Sequence, residues 1–595
     1  MTKKLFIVFL IGLFFTSCSS LEFNPDDSDN LNGDADSGKN PSETTYIFLK
    51  VSAPEISSRD DDDKWEYEDG TVSENAVNHI RLYFFENGTI LRSKPDSDEE
   101  TDFNYFYDWY HSEDSESEGR SRAEGDITKT LTRLLSLKFD TKSRPNQIVA
   151  IVNPNQSILD LPNPSLKELE DIVADFKTDL TDHNFLMSNS VYLTTEDGIR
   201  RLINATPIHS YNICTTPEKA LLNPVNVYVD RIVARLDFSF AQPNDDLQPV
   251  ENENNIFDTG ITLTLENGNE QKVLVEFKGW AITSSPKQSR LLKSLDPSWS
   301  DNLFKRESGS WNQETICRSF WAINPEEIDY NWYSYNDITG EDNPRGAGCF
   351  SLSENSAYMQ ENANPFKSGT VTAANPQYPT KVIFCARLLT EDRQPLSIAE
   401  YEGVYYTYSG FKALIASKLD MYRETDSPLT DGDKYVKITP EELTFETSMS
   451  HSGISGPDTD GTYFVYVCLT KEAALKTWYH KFDNEEEKDD FEIKQPQNYL
   501  DKTLSQAKVW KEGNTYYYFD IPHFGGEKED PGYLGVVRNH IYDAKIVKIK
   551  SLGVPVYDPD EIIYPEEPGP GGNMLYVTIR VLQWRLVNQH FQISW

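Results

Sequence analysis

The chain is short of cysteine, methionine and positive charge, and no apolar run in it is long enough to span a bilayer. Six cysteines and six methionines stand among 595 residues. Beyond Cys18, the five others (Cys214, Cys317, Cys349, Cys385 and Cys468) are widely spaced, odd in number and form no C-x-x-C. That pattern excludes a disulfide framework and a cysteine-rich zinc module. Cys385 (VIFCARL) and Cys468 (FVYVCLT) sit inside strand patterns and read as buried apolar residues. Lys and Arg number 56 against 96 Asp and Glu, a net charge of −40. So acidic a chain has no nucleic-acid partner and does not attach electrostatically to anionic lipid. H-E-x-x-H, G-x-S-x-G, a P-loop and a Rossmann fingerprint are all missing, and the nine histidines are scattered. Asp458-x-Asp460-Gly461 begins like a calcium loop but lacks the downstream bidentate Glu, so it reads as a turn. The expectation is a protein that is not an enzyme, with no catalytic residue, no metal and no cofactor.

What is present points to β-structure. Tyr 32, Phe 30 and Trp 11, with many Gly/Pro/Asn/Asp clusters, favour sheets over helices. The length is too great for one core, so two domains are expected. The N-terminus reads as an export signal. Lys3 and Lys4 precede an apolar stretch from Leu5 to Phe15, and Phe15-Thr16-Ser17-Cys18 has the form of a bacterial lipobox. Cys18 would then be the acylated first residue, held in the outer membrane by more than one acyl chain. A polar tether follows. Ile47, Leu49, Val51 and Ala53 then alternate as a half-buried strand that stops at Pro54. Arg59 comes next, in front of four aspartates and Lys64. Like charges this dense repel each other and resist packing, so Arg59 and Lys64 lie in the most solvent-accessible composition nearby. Arg120 and Arg122 lie in a second acidic loop.

Other segments are read locally. HIRLYFFENGTIL is a hairpin turning at Asn87-Gly88. Residues 165–179 have helical spacing behind a serine cap. Residues 185–193 and 225–240 are strands, and a domain boundary is expected near 240. Residues 485–490 are a solvated acidic helix face or loop. The aromatic runs at 105–110 and 330–336 could stack on sugars.

The last segment is the most informative. A Pro/Gly/acidic stretch, 557–573, cannot be a helix or an interior strand. After it, Leu575, Val577, Ile579 and Val581 fall on one face of a strand. At Leu582, Trp584 and Leu586 the apolar set moves to even positions, which suggests a bulge. A long apolar strand on a tether needs a slot, in its own domain or in a neighbouring molecule.

Three of these segments together resemble the fimbrillins of Bacteroidales type V pili, in particular the minor-fimbrium major-subunit branch. VDRIVAR (229–235) is similar to that family's V-E-R-x-x-A-K/R strand, with Asp230 where Glu is usual. VVRNHIY (536–542), with the linker that follows, is similar to its V-V-R-N-x-x-Y strand. VTIRVLQWRL (577–586) is similar to its terminal V-x-V-x-x-W-x-V strand. The resemblance implies a mainly β fold of two tandem transthyretin-like β-sandwich domains with a few short helices. It implies surface export as a lipoprotein and a trypsin-like maturation protease that cuts after the first strand. It further implies polymerisation by donor-strand exchange with copies of the chain and with anchor and tip subunits. On this chain the expected map is signal peptide 1–17, tether and propeptide strand 18–59, N-terminal domain 60–240 and C-terminal domain 241–556. Linker 557–573 and donor strand 574–595 complete it. The displaced strand would carry Ile47, Leu49, Val51 and Ala53, and the donor strand Leu575, Val577, Ile579, Val581 and Trp584. The expected function is a fimbrial stalk subunit that contributes to adhesion. It would reside in the cell outer membrane as a lipidated precursor and then in the surface fimbrium. The alternatives are a tip or accessory adhesin, or a monomeric lipid-anchored glycan-binding protein.

Overall fold

A computed structural model describes residues 44–52, 67–71, 73–96, 102–110, 130–140, 142–177, 185–196, 199–240, 247–250, 254–294, 323–341, 344–362, 378–425, 434–452, 463–483, 485–523, 534–565 and 575–585. The fold is mainly β. Cys18, Ala53, Arg59, Lys64, Arg120, Arg122 and Asp458 to Gly461 lie outside the described residues.

The N-terminal sheet runs in the order Thr89–Ile90, His79–Glu86, Gln147–Val152, Met187–Asn189, Val225–Arg231, Thr45–Ser52, Thr130–Phe139, Ser93–Pro95. The two ends of this path share one core. Ile47, Leu49 and Val51 of the first strand pack in the same cluster as Ile80, Leu82, Phe84, Leu135, Leu137, Ile148 and Val227. The outer face of His79–Glu86 and Gln147–Val152 is covered as well, by Ile158, Leu169, Phe176, Ile232, Leu291 and Leu292. Those two strands therefore read as continuous apolar runs rather than as alternation. The hairpin turns at Asn87-Gly88, where both residues have positive φ (50° and 79°). That is the two-residue turn whose twist matches the flanking strands.

The C-terminal sandwich packs two sheets. One has the order Tyr67–Asp69, Leu575–Arg585, His540–Ile549, Val233–Phe240, Ser356–Gln360. The other has the order Gln248–Pro249, Ile256–Thr264, Glu270–Thr283, Lys381–Leu389, Asn514–Asp520, Val554–Pro555. An aromatic core joins them. Phe238 meets Trp280 and Phe384 edge-on, each at a centroid distance of 5.0 Å, and Phe277 meets Tyr517 at 5.6 Å. Between Lys381–Leu389 and Asn514–Asp520 the chain leaves the sandwich and builds a third lobe with its own core of Phe411, Ile415, Trp478, Leu500 and Val509. Its frame includes the helices Tyr408–Lys418 and Pro496–Thr503 and the ribbon of Leu443–Thr447 with Val465–Leu469.

Three local readings differ from the observed structure. The run 225–240 is two strands, Val225–Arg231 in the N-terminal sheet and Val233–Phe240 in the C-terminal one, so the chain changes sheets at Ile232. The helix behind Ser165 has its capping box with Glu168 but ends at Asp171, because Val173–Ala174 pairs with Ser289–Arg290 instead. The terminal strand has no bulge at 582. Pairing with His540–Ile549 runs one-to-one from Val577 to Gln583, and the irregularity sits on the partner strand between Ile546 and Lys548. Leu582 stands opposite Ile541, which belongs to the N-terminal core.

Candidate functional site: two strands and the junction between them

The first strand occupies an interior position. Thr45–Ser52 pairs parallel with Val225–Arg231, from Leu49↔Val225 to Ser52↔Tyr228. On its other side it pairs antiparallel with Thr130–Phe139, from Thr45↔Leu137 to Ser52↔Thr130. Ile47 and Leu49 are 0% exposed and Val51 3%. Three such side chains contribute about 5–9 kcal/mol of burial. Without this strand, Val225–Arg231 and Thr130–Phe139 would face each other across a strand-wide apolar slot.

The terminal strand lies between His540–Ile549, antiparallel, and Tyr67–Asp69, parallel. Leu575 stands opposite Ile549, Val577 opposite Ile546, Ile579 opposite Ala544 and Val581 opposite Tyr542, all four partners buried. Leu575 is buried in the aromatic core and Val577 packs against it. For Ile579, Val581 and Trp584 the register is described and the side chains are not; Trp584 pairs with Glu68. The strand thus fills a slot in its own sheet. The preceding stretch is docked over its first half. Ile562–Ile563 pairs with Tyr333–Ser334, Tyr564 meets Trp332 at 5.0 Å, and Tyr557 packs on Phe445.

The segments VDRIVAR and VVRNHIY come together where the N-terminal sheet meets the C-terminal sandwich. Arg231 is 0% exposed. Its Nε donates to the Glu74 carbonyl at 3.0 Å, Nη2 to Asn75 Oδ1 at 2.7 Å and Nη1 to Asn539 Oδ1 at 3.1 Å. Asn539 has φ 58°, a left-handed conformation that asparagine tolerates better than most residues, and its Nδ2 donates to Asp230 at 3.3 Å. Arg538 donates to Glu361 at 2.7 Å and to the Leu291 and Arg290 carbonyls. Glu74 accepts from Arg235 at 3.0 Å, from the Tyr358 hydroxyl at 2.7 Å and from the Thr71 N–H at 2.6 Å. Burial alone would raise the Glu74 carboxyl, but Arg235 and these hydrogen bonds hold it below its ordinary value. Local sequence reading missed this network, because its members are far apart in the chain. The only signal was two arginine-bearing motifs inside otherwise apolar strands.

Glu74→Gln should destabilise the chain by about 1.5–3 kcal/mol at neutral pH, since it removes the buried one of the two carboxylates, Glu74 and Asp237, that pair with Arg235. The folded pKa is depressed. The contribution is therefore complete above the unfolded carboxylate value, about 4.3, and is lost as pH falls through the folded value. Urea titrations should show the gap between wild type and variant closing below about pH 4; a gap that stays constant would exclude the ion pair as its source.

The aromatic runs are largely spent on packing. Tyr335 is buried and donates to the Ala386 carbonyl, Tyr330 is buried, and Phe106 lies under Arg81 at 3.8 Å. In those two runs Tyr110, 71% exposed, is the exposed large ring. Among the described residues, Cys214, Cys349, Cys385 and Cys468 are free thiols and buried. The Cys468 thiol is pushed up to about 12 by burial and by Glu446 beside it. Residues 485–491 form an acidic 3-10 helix.

Among known proteins, the similarities of this chain are to fimbrial proteins. Residues 508–590 match the family described as major fimbrial subunit protein type IV, fimbrillin, C-terminal. The matched stretch includes VVRNHIY and the terminal strand, two of the segments that carry the resemblance. No curated protein matches the chain. Among solved structures, a fimbrilin (FimA) of Porphyromonas gingivalis aligns at 12% identity and TM-score 0.34, covering 91% of this chain and 98% of that one. The tip fimbrial protein Mfa3 of the same organism, with a C-terminal truncation, aligns at 11% identity and TM-score 0.27, covering 91% and 100%. Likenesses that remote carry no part of the argument below.

Proposed function

We propose that this chain is a polymerising stalk subunit of a cell-surface fimbrium that contributes to adhesion. It is exported as a lipoprotein through Cys18 and anchored in the outer membrane by lipid. A trypsin-like protease cuts it after Arg59, or after Lys64. The strand with Ile47, Leu49, Val51 and Ala53 then leaves, and the terminal strand of another copy takes its place. Leu575, Val577, Ile579 and Val581 repeat the period-two apolar face of the strand they replace, with Trp584 beyond them. Anchor and tip subunits would engage the same slot and strand at the ends of the polymer.

The observation that carries this reading is the interior place of the first strand. Its ladder partners lie on both sides, yet only residues 53–66 connect it to the rest of the domain, and they contain both candidate cut points. A chain that keeps the strand has no slot to offer. Main-chain pairing in such a slot gives affinity and alternate side chains give register.

N-terminal sequencing of fimbriae sheared from cells tests the reading. Assembled protein should begin at Asp60 or at Trp65. Polymers whose subunits still begin at an acylated Cys18 would refute it. A monomer with the same start would favour the lipid-anchored glycan-binding alternative.

A further inference from the structure

The third lobe contains a side-chain cluster that fimbrial assembly does not use. Leu443–Thr447 and Val465–Leu469 form a ribbon in which Thr444 stands opposite Cys468 and Glu446 opposite Tyr466. Glu446 and Cys468 are therefore diagonal neighbours on one face. The chain turns at once into the short helix Ser448–Ser452, which brings His451 back over that face. His451 Nδ1 lies 3.7 Å from Cys468 Sγ and 3.6 Å from Glu446 Oε2. The three ligand atoms all fall within 4.8 Å of one another.

We propose that Cys468, His451 and Glu446 bind one divalent cation of the zinc class, with the fourth position left to water. The spacing is that of a common centre. Ligands about 2.3 Å (sulfur) and about 2.0 Å (nitrogen, oxygen) from a tetrahedral ion lie about 3.5 Å apart for S···N and about 3.3 Å for N···O. The set mixes thiolate, imidazole and carboxylate, which suits zinc and disfavours calcium or magnesium.

The second observation is the support behind the histidine. His451 Nε2 lies 3.5 Å from Asp501 Oδ2. Asp501 is held in turn by Gln497 Nε2 at 2.8 Å, and Gln497 also donates to the Val467 carbonyl at 3.0 Å. A carboxylate on the far nitrogen fixes the tautomer that leaves Nδ1 free for a metal. The imidazole is also stacked on Tyr466, centroids 4.4 Å apart and 12° from parallel. From the other side, Thr447 and Ser450 both donate to Glu561, which ties the short helix to the docked stretch before the terminal strand. On binding, the Cys468 S–H bond breaks, sulfur bonds to the cation and the proton passes to buffer, with no redox change. Cys468 is only 4% exposed, which disfavours the other chemistry a Cys–His–Asp row suggests, attack on a carbonyl substrate.

The test uses the purified chain with thiols reduced, and cobalt(II) and zinc(II) salts as probes. Cobalt should give a thiolate charge-transfer band that saturates at one ion per chain and is bleached by zinc. Calorimetry in buffers of different ionisation enthalpy should report about one proton released per ion. Cys468→Ser and His451→Gln should abolish the band, and Cys214→Ser should keep it. Asp501→Asn should weaken binding about 10- to 100-fold, as expected for a positioning residue. Circular dichroism identifies any variant that fails to fold; Glu446→Gln, at a partly exposed position, then carries the test. Absence of the band, or a band unchanged in Cys468→Ser, overturns the proposal. So does rapid alkylation of Cys468 by iodoacetamide that zinc does not slow, which would mark a nucleophile instead.

Discussion

Deleting residues 575–595 should leave a chain with one vacant strand slot before the N-terminal cut and two after it. The first vacancy lies beside His540–Ile549, whose edge would lose the partners of Ile546 and Ile549, Val577 and Leu575. Leu575 would leave the aromatic core with Val577, at about 1.5–3 kcal/mol for each buried side chain. The C-terminal sandwich should therefore melt earlier, while the N-terminal sheet keeps its first strand and its stability. The second vacancy opens only when the first strand has gone. Titration with a peptide of residues 574–595 should reach one per uncut chain and two per cut chain, raising the melting temperature each time. Val577→Asp in the peptide should abolish both steps, because an unpaired buried charge costs several kcal/mol. Thr578→Asp should be tolerated, since Thr578 stands opposite Lys545. A cut chain that still binds only one peptide would exclude donor-strand exchange.

The second large effect is expected from Arg59→Ala combined with Lys64→Ala. The double variant should accumulate as full-length, lipid-bound monomer and form no ladder of polymers on mild denaturing gels. Charge is not the reason. Cutting after Arg59 removes 5 of 56 basic and 8 of 96 acidic residues, which takes the net charge from −40 to only −37. The reason is burial. Ile47, Leu49 and Val51 are held from both sides, and a strand that is still covalently attached re-enters its slot faster than a neighbour's strand can. Normal polymers from the double variant would remove maturation from the scheme.

Local chemistry made several elements legible. Asn87-Gly88 between apolar runs encodes its own turn, and the alternation of Ile47-Leu49-Val51 and of Leu575-Val577 encodes which face each strand buries. What the sequence hid depends on distant partners. Val225 to Phe240 looks like one strand because both halves alternate; only the packing of Ile232 under the N-terminal sheet breaks it. Leu582 breaks the alternation of the terminal strand, and the residue it stands opposite, Ile541, belongs to a core built from the other end of the chain. The third lobe has no boundary of composition, since it leaves and re-enters between two strands of one sheet. Cys468 sits in an apolar strand and reads as core until the turn after Thr447 returns His451 to it. Glu74 gave no signal among so many carboxylates, yet it is among the few that are buried and paired.

The docked stretch before the terminal strand sets a thermodynamic threshold. From Tyr564, docked on Trp332, a stretch the length of residues 566–574 spans at most roughly 30 Å if fully extended. One strand confined to that radius has an effective concentration on the order of 10 mM at its own slot. A neighbouring molecule present at around 10 μM is outnumbered about a thousandfold, so its slot must bind the strand better by about 4 kcal/mol before half the strands change hands. On the proposed scheme an uncut population would stay monomeric by mass action, and proteolysis would act as the switch by creating the one competitor strong enough to exceed that margin.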